Sequence, residues 1–483
     1  MKDTRFALAF LFFSLLSGVL ALAVHLDAQF IARDPGPRGG KVDAGQPVRG
    51  LTAGQQRFFN NALSRFLEVD SVGGNLPEET GKGLGPGFNG NQCASCHAQP
   101  ATGGSSPSRT AFPFLGPNPQ IAVANLDGAS NNIPFFIGED GPVREARFKY
   151  FPNPGGVLSG QRDGGVHDLF TIQGRVDATN TPGISGHLQT CRLSQPDFEQ
   201  MGHLGNLSYR IPTPLFGDGL IENIPDATIE RNMVSASATK LALGIAGHPN
   251  RNPNDGTISR FGWKAQNKSL QLFAAEAYSV EMGVSNEVFS SERGYAPMPP
   301  PTNCLFNATP EDGTHMAQTG ADPTAVPSDI VQFGNYMRYL DQPTPACEGD
   351  RCPLSVQSGH HLFIGVGCAL CHTQTMRTTA SYYGDALSNK DANLYSDLLV
   401  HHMGPKLTDD IIQGSAGPDE FRTAPLWGIG QRVFFLHDGR TQDLVEAIAQ
   451  HASPGSEANG VMTRFNHLTE NEKQDILNFL RSL

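Results

Sequence analysis

The sequence predicts a mainly α fold of two domains, the first carrying long loop insertions. Three observations carry that expectation. Apolar residues recur at helical spacing in residues 269–282, and further helical segments are expected over 52–67 and 328–340. A five-residue motif, Cys-x-x-Cys-His, occurs twice, at residues 93–97 and 368–372. The 483 residues include 54 Gly and 35 Pro but only 17% charged side chains, against roughly 25% in an average domain. That balance favours ordered loops around compact cores.

Taken in order, Lys2 and Arg5 precede an apolar run over residues 6–24, followed by Leu26-Asp-Ala28. Residues 1–28 therefore read as a secretory signal. Left uncleaved, the run would be a membrane anchor, since it approaches the roughly 20 residues a spanning helix needs. Residues 29–50 are rich in Gly, Pro and Arg and read as a mobile linker. The N-terminal domain is expected over 51–340. Its helix at 52–67 is followed by a turn-rich stretch, 81–91, that leads into the first motif. Residues 99–256 are expected to hold loops, short strands and short helices. In the helix at 269–282, Leu270, Phe273, Ala274 and Ala277 share one buried face. Asp341-Gln-Pro-Thr-Pro345 breaks the chain and marks the start of the C-terminal domain, 341–483. A weak repeat links the halves: Gly54-x-x-x-Phe58 and Gly359-x-x-x-Phe363 each precede a motif, and a glycine there permits close helix contact.

With 39% hydrophobic residues, the chain has enough apolar surface to fold. A net charge of -12 argues against nucleic acid as a partner, because phosphate contacts need basic patches. Eight cysteines suit an exported chain. Four belong to the motifs, leaving Cys191, Cys304, Cys347 and Cys352 for disulfides. Cys347 and Cys352 bracket a short Glu-Gly-Asp-Arg loop, which would leave Cys191 for Cys304; three pairings are open on sequence.

Cys-x-x-Cys-His has a mechanical logic. The two thiols form thioethers to porphyrin vinyl groups, and the adjacent imidazole then lies below the iron. One Cys-x-x-Cys also suits zinc or thiol redox chemistry. Two, each followed by His in an exported chain, indicate two covalently bound haem c groups, held by Cys93, Cys96 and His97 and by Cys368, Cys371 and His372. The expected fold is thus two cytochrome-c-like haem domains. The sixth iron position decides function. After Leu436-His-Asp-Gly-Arg440, Thr441 would cap a helix placing Leu444, Ile448 and His451 on one face. His451 is therefore the favoured sixth ligand of the second haem, with Met403, His401 and His402 as competitors. His167, His187 and His203 are the remaining imidazoles considered for the first haem, without a spacing argument. Arg175, Arg422 and Arg440 suit haem propionates. Trp263, one of two tryptophans with Trp427, is a candidate electron relay.

At these residues the chain resembles the di-haem oxidoreductases, relatives of the bacterial di-haem cytochrome c peroxidases and of the methylamine-dehydrogenase-maturing di-haem enzyme. The resembling stretches span about residues 83–483. They include Leu84-Gly-Pro-Gly-Phe-Asn89, Arg210-Ile-Pro-Thr-Pro-Leu-Phe216, Arg260-Phe-Gly-Trp-Lys264, Glu281-Met-Gly283 and Phe435-Leu-His-Asp-Gly-Arg440, the last followed by Glu446-Ala-Ile448. In the peroxidases an aromatic-Asp-Gly-Arg-Ala turn precedes a helix ending Val-Glu-Met, whose Glu stands over the open haem. Here Phe261-Gly-Trp-Lys-Ala265 precedes Val280-Glu281-Met282, so the resemblance implies Glu281 as distal acid/base. A carboxyl in an apolar pocket has a raised pKa suited to moving a proton between peroxide oxygens. After His-Asp-Gly the peroxidases carry Met and the maturing enzyme Tyr; His451 stands at the matching place and implies a lower-potential, bis-His second haem.

The function expected is a periplasmic di-haem oxidoreductase of peroxidase type, using Glu281 and Trp263. It would draw electrons from a small redox protein or a quinol-linked donor and pass them to peroxide or another small oxidant. Calcium between the domains is common among the relatives, though no dedicated loop for it stands out. The rival readings are a pure electron-transfer cytochrome and an oxygenase or protein-modifying oxidase built on the same open haem.

Overall fold

The computed structural model describes residues 30–85, 87–109, 116–129, 131–153, 157–163, 167–168, 172, 174–177, 196–291, 309–316, 320 and 322–483. Residues 1–28, read above as a secretory signal, lie outside them, as do His187, Cys191, Cys304 and the side chain of His167. The described chain is mostly helical, with a few small sheets.

Seven helices frame the two sites: α1 (Ala53–Phe66), α2 (Leu270–Glu281), α3 (Asp329–Tyr339), α4 (Leu354–Val366), α5 (Leu444–Ala449), α6 (Asn459–Asn466) and α7 (Glu470–Ser482). Local chemistry sets their starts. Thr52 and Gln55 form a reciprocal capping box on α1, and Thr469 and Glu472 do the same on α7. Ser269 caps α2 by accepting from Leu272 N, a contact typically worth about 1 kcal/mol. For α5 the cap is Asp443, which accepts from Val445 N, and not the expected Thr441. Thr441 instead donates to Glu446 and accepts from Asp443 N, so it braces the capping residue.

Helices α1, α2 and α3 pack into one core. Phe66 of α1 stacks on Tyr336 of α3 at 4.5 Å, and Tyr278 of α2 meets Phe333 edge-on at 5.1 Å. Helices α4 and α7 form the second. There Gly359 is required, because an added Cβ would lie 1.9 Å from the Asp475 carbonyl oxygen on α7. Gly54 is not its structural twin: a Cβ there would meet only Thr52 Oγ1, at 4.0 Å. The repeat predicted from these two glycines thus holds its mechanical meaning in the second half alone. The first core also takes in Met376, Leu387, Leu394 and Leu399 from beyond residue 341.

Between the helices lie short strands. β1 (Glu145–Phe148), β2 (His167–Asp168) and β3 (Leu207–Arg210) make an antiparallel sheet in the order β2-β1-β3. β4 (Val400–His402) pairs antiparallel with β5 (Glu420–Arg422), with His401 opposite Phe421.

The stretch expected to be a mobile linker is bound down instead. Ala32 N and Arg33 N donate to Glu470 and Gln474 of α7, and Asp34 pairs with Arg481 at 2.6 Å. Further along, Arg38 N donates to Gly430 O and Val48 N to Tyr339 O. Its Gly/Pro content shapes an extended strap that hydrogen-bonds to both halves of the chain. Among the described residues, no helix is long and apolar enough to cross a membrane.

Candidate haem sites

The first motif opens with a one-turn helix, Cys93–Cys96, from which His97 emerges. Its Nδ1 donates to the Gly104 carbonyl at 3.0 Å, and Phe66 packs edge-on against the ring at 6.1 Å. The carbonyl fixes the tautomer and leaves Nε2 as the metal-facing nitrogen. Burial pulls the imidazole down to about 4, against the carbonyls of Gly104 and Thr213, so it is neutral as a ligand must be. Burial also pushes the Cys96 thiol up to about 12.

Cys93, Cys96 and His97 line a cavity of about 820 Å³, mouth included, together with Phe66, Tyr278, Glu281 and Met282. Two stretches that carry the family resemblance are locked together here. Gly85 N donates to Met282 O and Asn89 N to Glu281 O, which ties the loop before the motif to the end of α2. A Cβ on Gly85 would lie 2.1 Å from Gly283 O, so only glycine allows that approach. Glu281 lines the same cavity as His97. The Met282 thioether packs 3.9 Å from Cys93 Sγ. His203, considered for this site, is exposed at the end of a short helix, Phe198–His203, and is not among the lining residues. Behind the cavity, Tyr278 donates to Asp329 at 3.2 Å, and His315 Nε2 lies 2.9 Å from the same carboxylate.

The second site repeats the first in its essentials. α4 ends at Gly367 in the left-handed region, φ 108°, and the motif follows as a 3-10 turn, Cys368–Leu370. His372 Nδ1 donates to the Tyr395 carbonyl at 2.9 Å, and burial lowers the ring to about 4. The cavity is larger, about 1510 Å³ with its mouth, and its walls are almost wholly apolar. His451, Met403 and His437 all reach it. His451 Nδ1 donates to Ala447 O at 2.9 Å, so its Nε2 is the nitrogen left for a metal; burial lowers its pKa. Leu444, Ile448 and His451 line the cavity together, although α5 stops at Ala449 and His451 sits in the following turn.

The competing histidines are otherwise engaged. His401 is buried with Nδ1 on Glu457 at 2.7 Å and Nε2 on Asp397 at 3.0 Å. Burial opposes its charge, yet Asp397 and the Cys371 side chain hold its pKa well above the usual value. An imidazolium with both nitrogens donating has no lone pair for iron. His402 is 53% exposed and pairs with Asp419 and Glu420 outside the cavity. His437, within the Leu-His-Asp-Gly stretch, lines the cavity with no spacing signal to mark it. It stacks on Phe421 at 4.3 Å, and burial lowers it to about 4.

Trp263 lines the second cavity and donates from Nε1 to Ile211 O at 2.9 Å. The next residue, Pro212, lines the first cavity, so the indole stands on the wall between them. Of the arginines considered for propionates, Arg175 is committed to Glu79, Asp127 and Asp177, and Arg440 to Asp438 and Lys406 O. Arg422 lines the second cavity.

The residues fit haem. All four motif cysteines are free thiols, whereas Cys347 and Cys352 form a disulfide. Each pair stands at an apolar cavity beside a neutral imidazole pinned by a backbone carbonyl. Two clusters of three ligating side chains also occur among the described residues, Cys371/Asp397/His401 and Asp312/His315/Asp329. Both contain His and are internally hydrogen-bonded, so neither is the all-oxygen cage calcium prefers.

No curated protein matches the chain. Among solved structures, it is similar to hydrazine synthase of Kuenenia stuttgartiensis at 19% identity and TM-score 0.22, over 34% of this chain and 56% of that one. It is also similar to a MauG-like protein associated with microbial copper homeostasis, at 14% identity and TM-score 0.26, over 56% of this chain and 88% of that one. The family profile that matches covers residues 162–483, which takes in the second motif, Glu281 and Trp263, while the first motif precedes it. Its description is "Di-haem oxidoreductase, putative peroxidase", and the chain belongs to that family.

Proposed function

We propose that this chain is an exported di-haem c-type oxidoreductase that reduces peroxide in the first pocket, with electrons arriving through the second. When bound, the two haems would supply the redox chemistry that a two-electron reduction of peroxide needs, with the electrons coming from an external donor. The protein's part is attachment, orientation and proton handling. Cys93 and Cys96 would hold one macrocycle and Cys368 and Cys371 the other; His97 and His372 would ligate the irons, and His451 would be the further ligand offered by the second site. Glu281 takes the proton from one peroxide oxygen and returns it to the other, so that water departs as the O–O bond breaks. With two electrons and two protons in all, one peroxide becomes two waters. Trp263, on the wall shared by the cavities, relays the electrons.

The observation that carries this reading is the meeting of Glu281 and His97 in one apolar cavity that contains no other imidazole among its described lining residues. A carboxyl held there can serve as acid and base without displacing the reactant. The donor is a small redox protein or a quinol-linked carrier, consistent with an exported chain. Glu281→Gln keeps the shape and removes the proton shuttle. Peroxide turnover should fall by about 10²–10⁴-fold with haem content unchanged; full turnover in the variant would end the proposed role.

A further inference from the structure

We propose that Arg422 and Arg432 form a carboxylate cradle inside the second cavity and bind the two propionates of the haem held there. The inference rests on the haem reading of that cavity and assigns to it an orientation.

Among the described residues, buried guanidinium groups that face carboxylates include Arg210 with Asp409, Arg260 with Asp226, Arg338 with Glu222 and Arg481 with Asp34. The two in the second cavity break the pattern. Arg432 is 8% exposed, and its buried Nε and Nη2 have no protein partner. Arg422 donates from Nε to Gly262 O at 3.1 Å, but its buried Nη1 has no partner either. Both side chains line a mostly apolar cavity whose other ionisable lining groups, the motif cysteines aside, are His372, His401, His437, His451 and Glu457. Its one carboxylate, Glu457, is taken by His401 at 2.7 Å. Asp218 lends Arg422 some charge compensation, whereas burial alone acts on Arg432 and lowers it to about 10. Leaving such groups unmatched is costly, so the site is built for an anion that the polypeptide does not provide. Planar guanidinium forks recognise carboxylates in a bidentate fashion. Two forks match the two carboxylates of a haem.

Their placement fixes which way the haem edge faces. Arg422 N donates to Trp263 O at 2.9 Å, and the Arg432 guanidinium lies 5.9 Å from the Trp263 ring centroid. Both arginines therefore flank the Trp263 segment, and the propionate edge points toward the wall shared with the first cavity. Sequence reasoning reached Arg422 by its residue type. Arg432 was invisible because only tertiary packing strips it of partners.

The test is a redox titration of the second haem in the loaded, full-length protein from pH 5 to 8. In the wild type the cradle keeps both propionates ionised, so the midpoint potential is flat across this range. Arg432→Gln and Arg422→Gln remove a positive charge, which favours the ferric state. The potential should fall, and a pH-dependent segment should appear as a propionate pKa rises into the window. Arg432→Lys, which keeps the charge, should restore most of the flat profile. Arg377→Gln, on an exposed ion pair with Asp391, should change neither quantity. Glutamine variants that match the wild type in potential and pH profile would overturn the cradle. So would a propionate step between pH 5 and 8 in the wild type, a result that needs no variant to fold. Protein that carries no haem at Cys368 and Cys371 would fail earlier, on its haem stain, and would remove the reading on which the cradle rests.

Discussion

The two cavities share their proximal half and differ in what faces it. Each has a Cys-x-x-Cys pair and an imidazole whose Nδ1 donates to a backbone carbonyl. The rest of the first cavity includes the carboxyls Glu281 and Glu145, while the second includes a further imidazole, His451, a thioether, Met403, and two guanidinium groups that each keep a buried nitrogen without a partner. A carboxyl handles protons and binds ferric iron weakly. An imidazole of fixed tautomer is a strong ligand. On the proposed reading, this contrast would set one scaffold for chemistry and the other for electron transfer, through the residue that closes α2 in the first case and the turn that follows α5 in the second.

That contrast can be broken from either side. The largest effect is expected from His372→Gly, which removes the proximal ligand of the second cavity alone. Peroxide turnover should drop to near background while the first haem keeps its spectrum; steady-state assay and optical spectra together check both halves of the statement. Undiminished turnover would mean that electrons bypass the second site.

A smaller effect sharpens the mechanical side of the comparison. Gly359→Ala drives a Cβ into the α7 backbone, 1.9 Å from Asp475 O, and should cost about 3 kcal/mol or more of stability, an overpacking penalty. Urea unfolding would measure it. Gly54→Ala, at the matching place in α1, has open space around it and should be neutral or stabilising by about 0.5–1 kcal/mol.

An acid effect belongs to the ion-pair network behind the second cavity. Burial would raise the Asp409 carboxyl, but Arg210 and Lys264 hold it at about 2, below its ordinary value of 3.8. A depressed folded-state pKa gives stability that is complete above the unfolded value and is lost as pH falls through the folded one. Between pH 4 and 2 the wild type should therefore lose about 2 kcal/mol through this group. Asp409→Asn should flatten that part of the profile, as chemical denaturation at stepped pH would reveal.

Much of this was legible in the sequence because it is local. Helical periodicity over 269–282 marks α2 to within a residue at each end, and the helical segment expected over 52–67 covers α1. The two motifs carry their spacing within five residues. His451 was readable from the apolar positions that precede it, even though the cap is Asp443 and the helix ends before it. What stayed hidden arises from distant segments meeting. The strap at residues 32–48 looks like a linker until Asp34 meets Arg481 at the other end of the chain. His401 resembles a ligand until Glu457 and Asp397 occupy both its nitrogens. Composition gives no sign of either, because an ion pair across the chain leaves no periodicity.

The central claim is that the first haem is open and the second is closed by His451. Low-temperature electron paramagnetic resonance of the ferric protein, repeated after half-reduction and on adding peroxide, tests it most directly. The account predicts a high-spin signal that peroxide abolishes beside a low-spin bis-His signal, with the latter alone converted to high spin by His451→Ala. Two low-spin signals indifferent to peroxide in both redox states would contradict it.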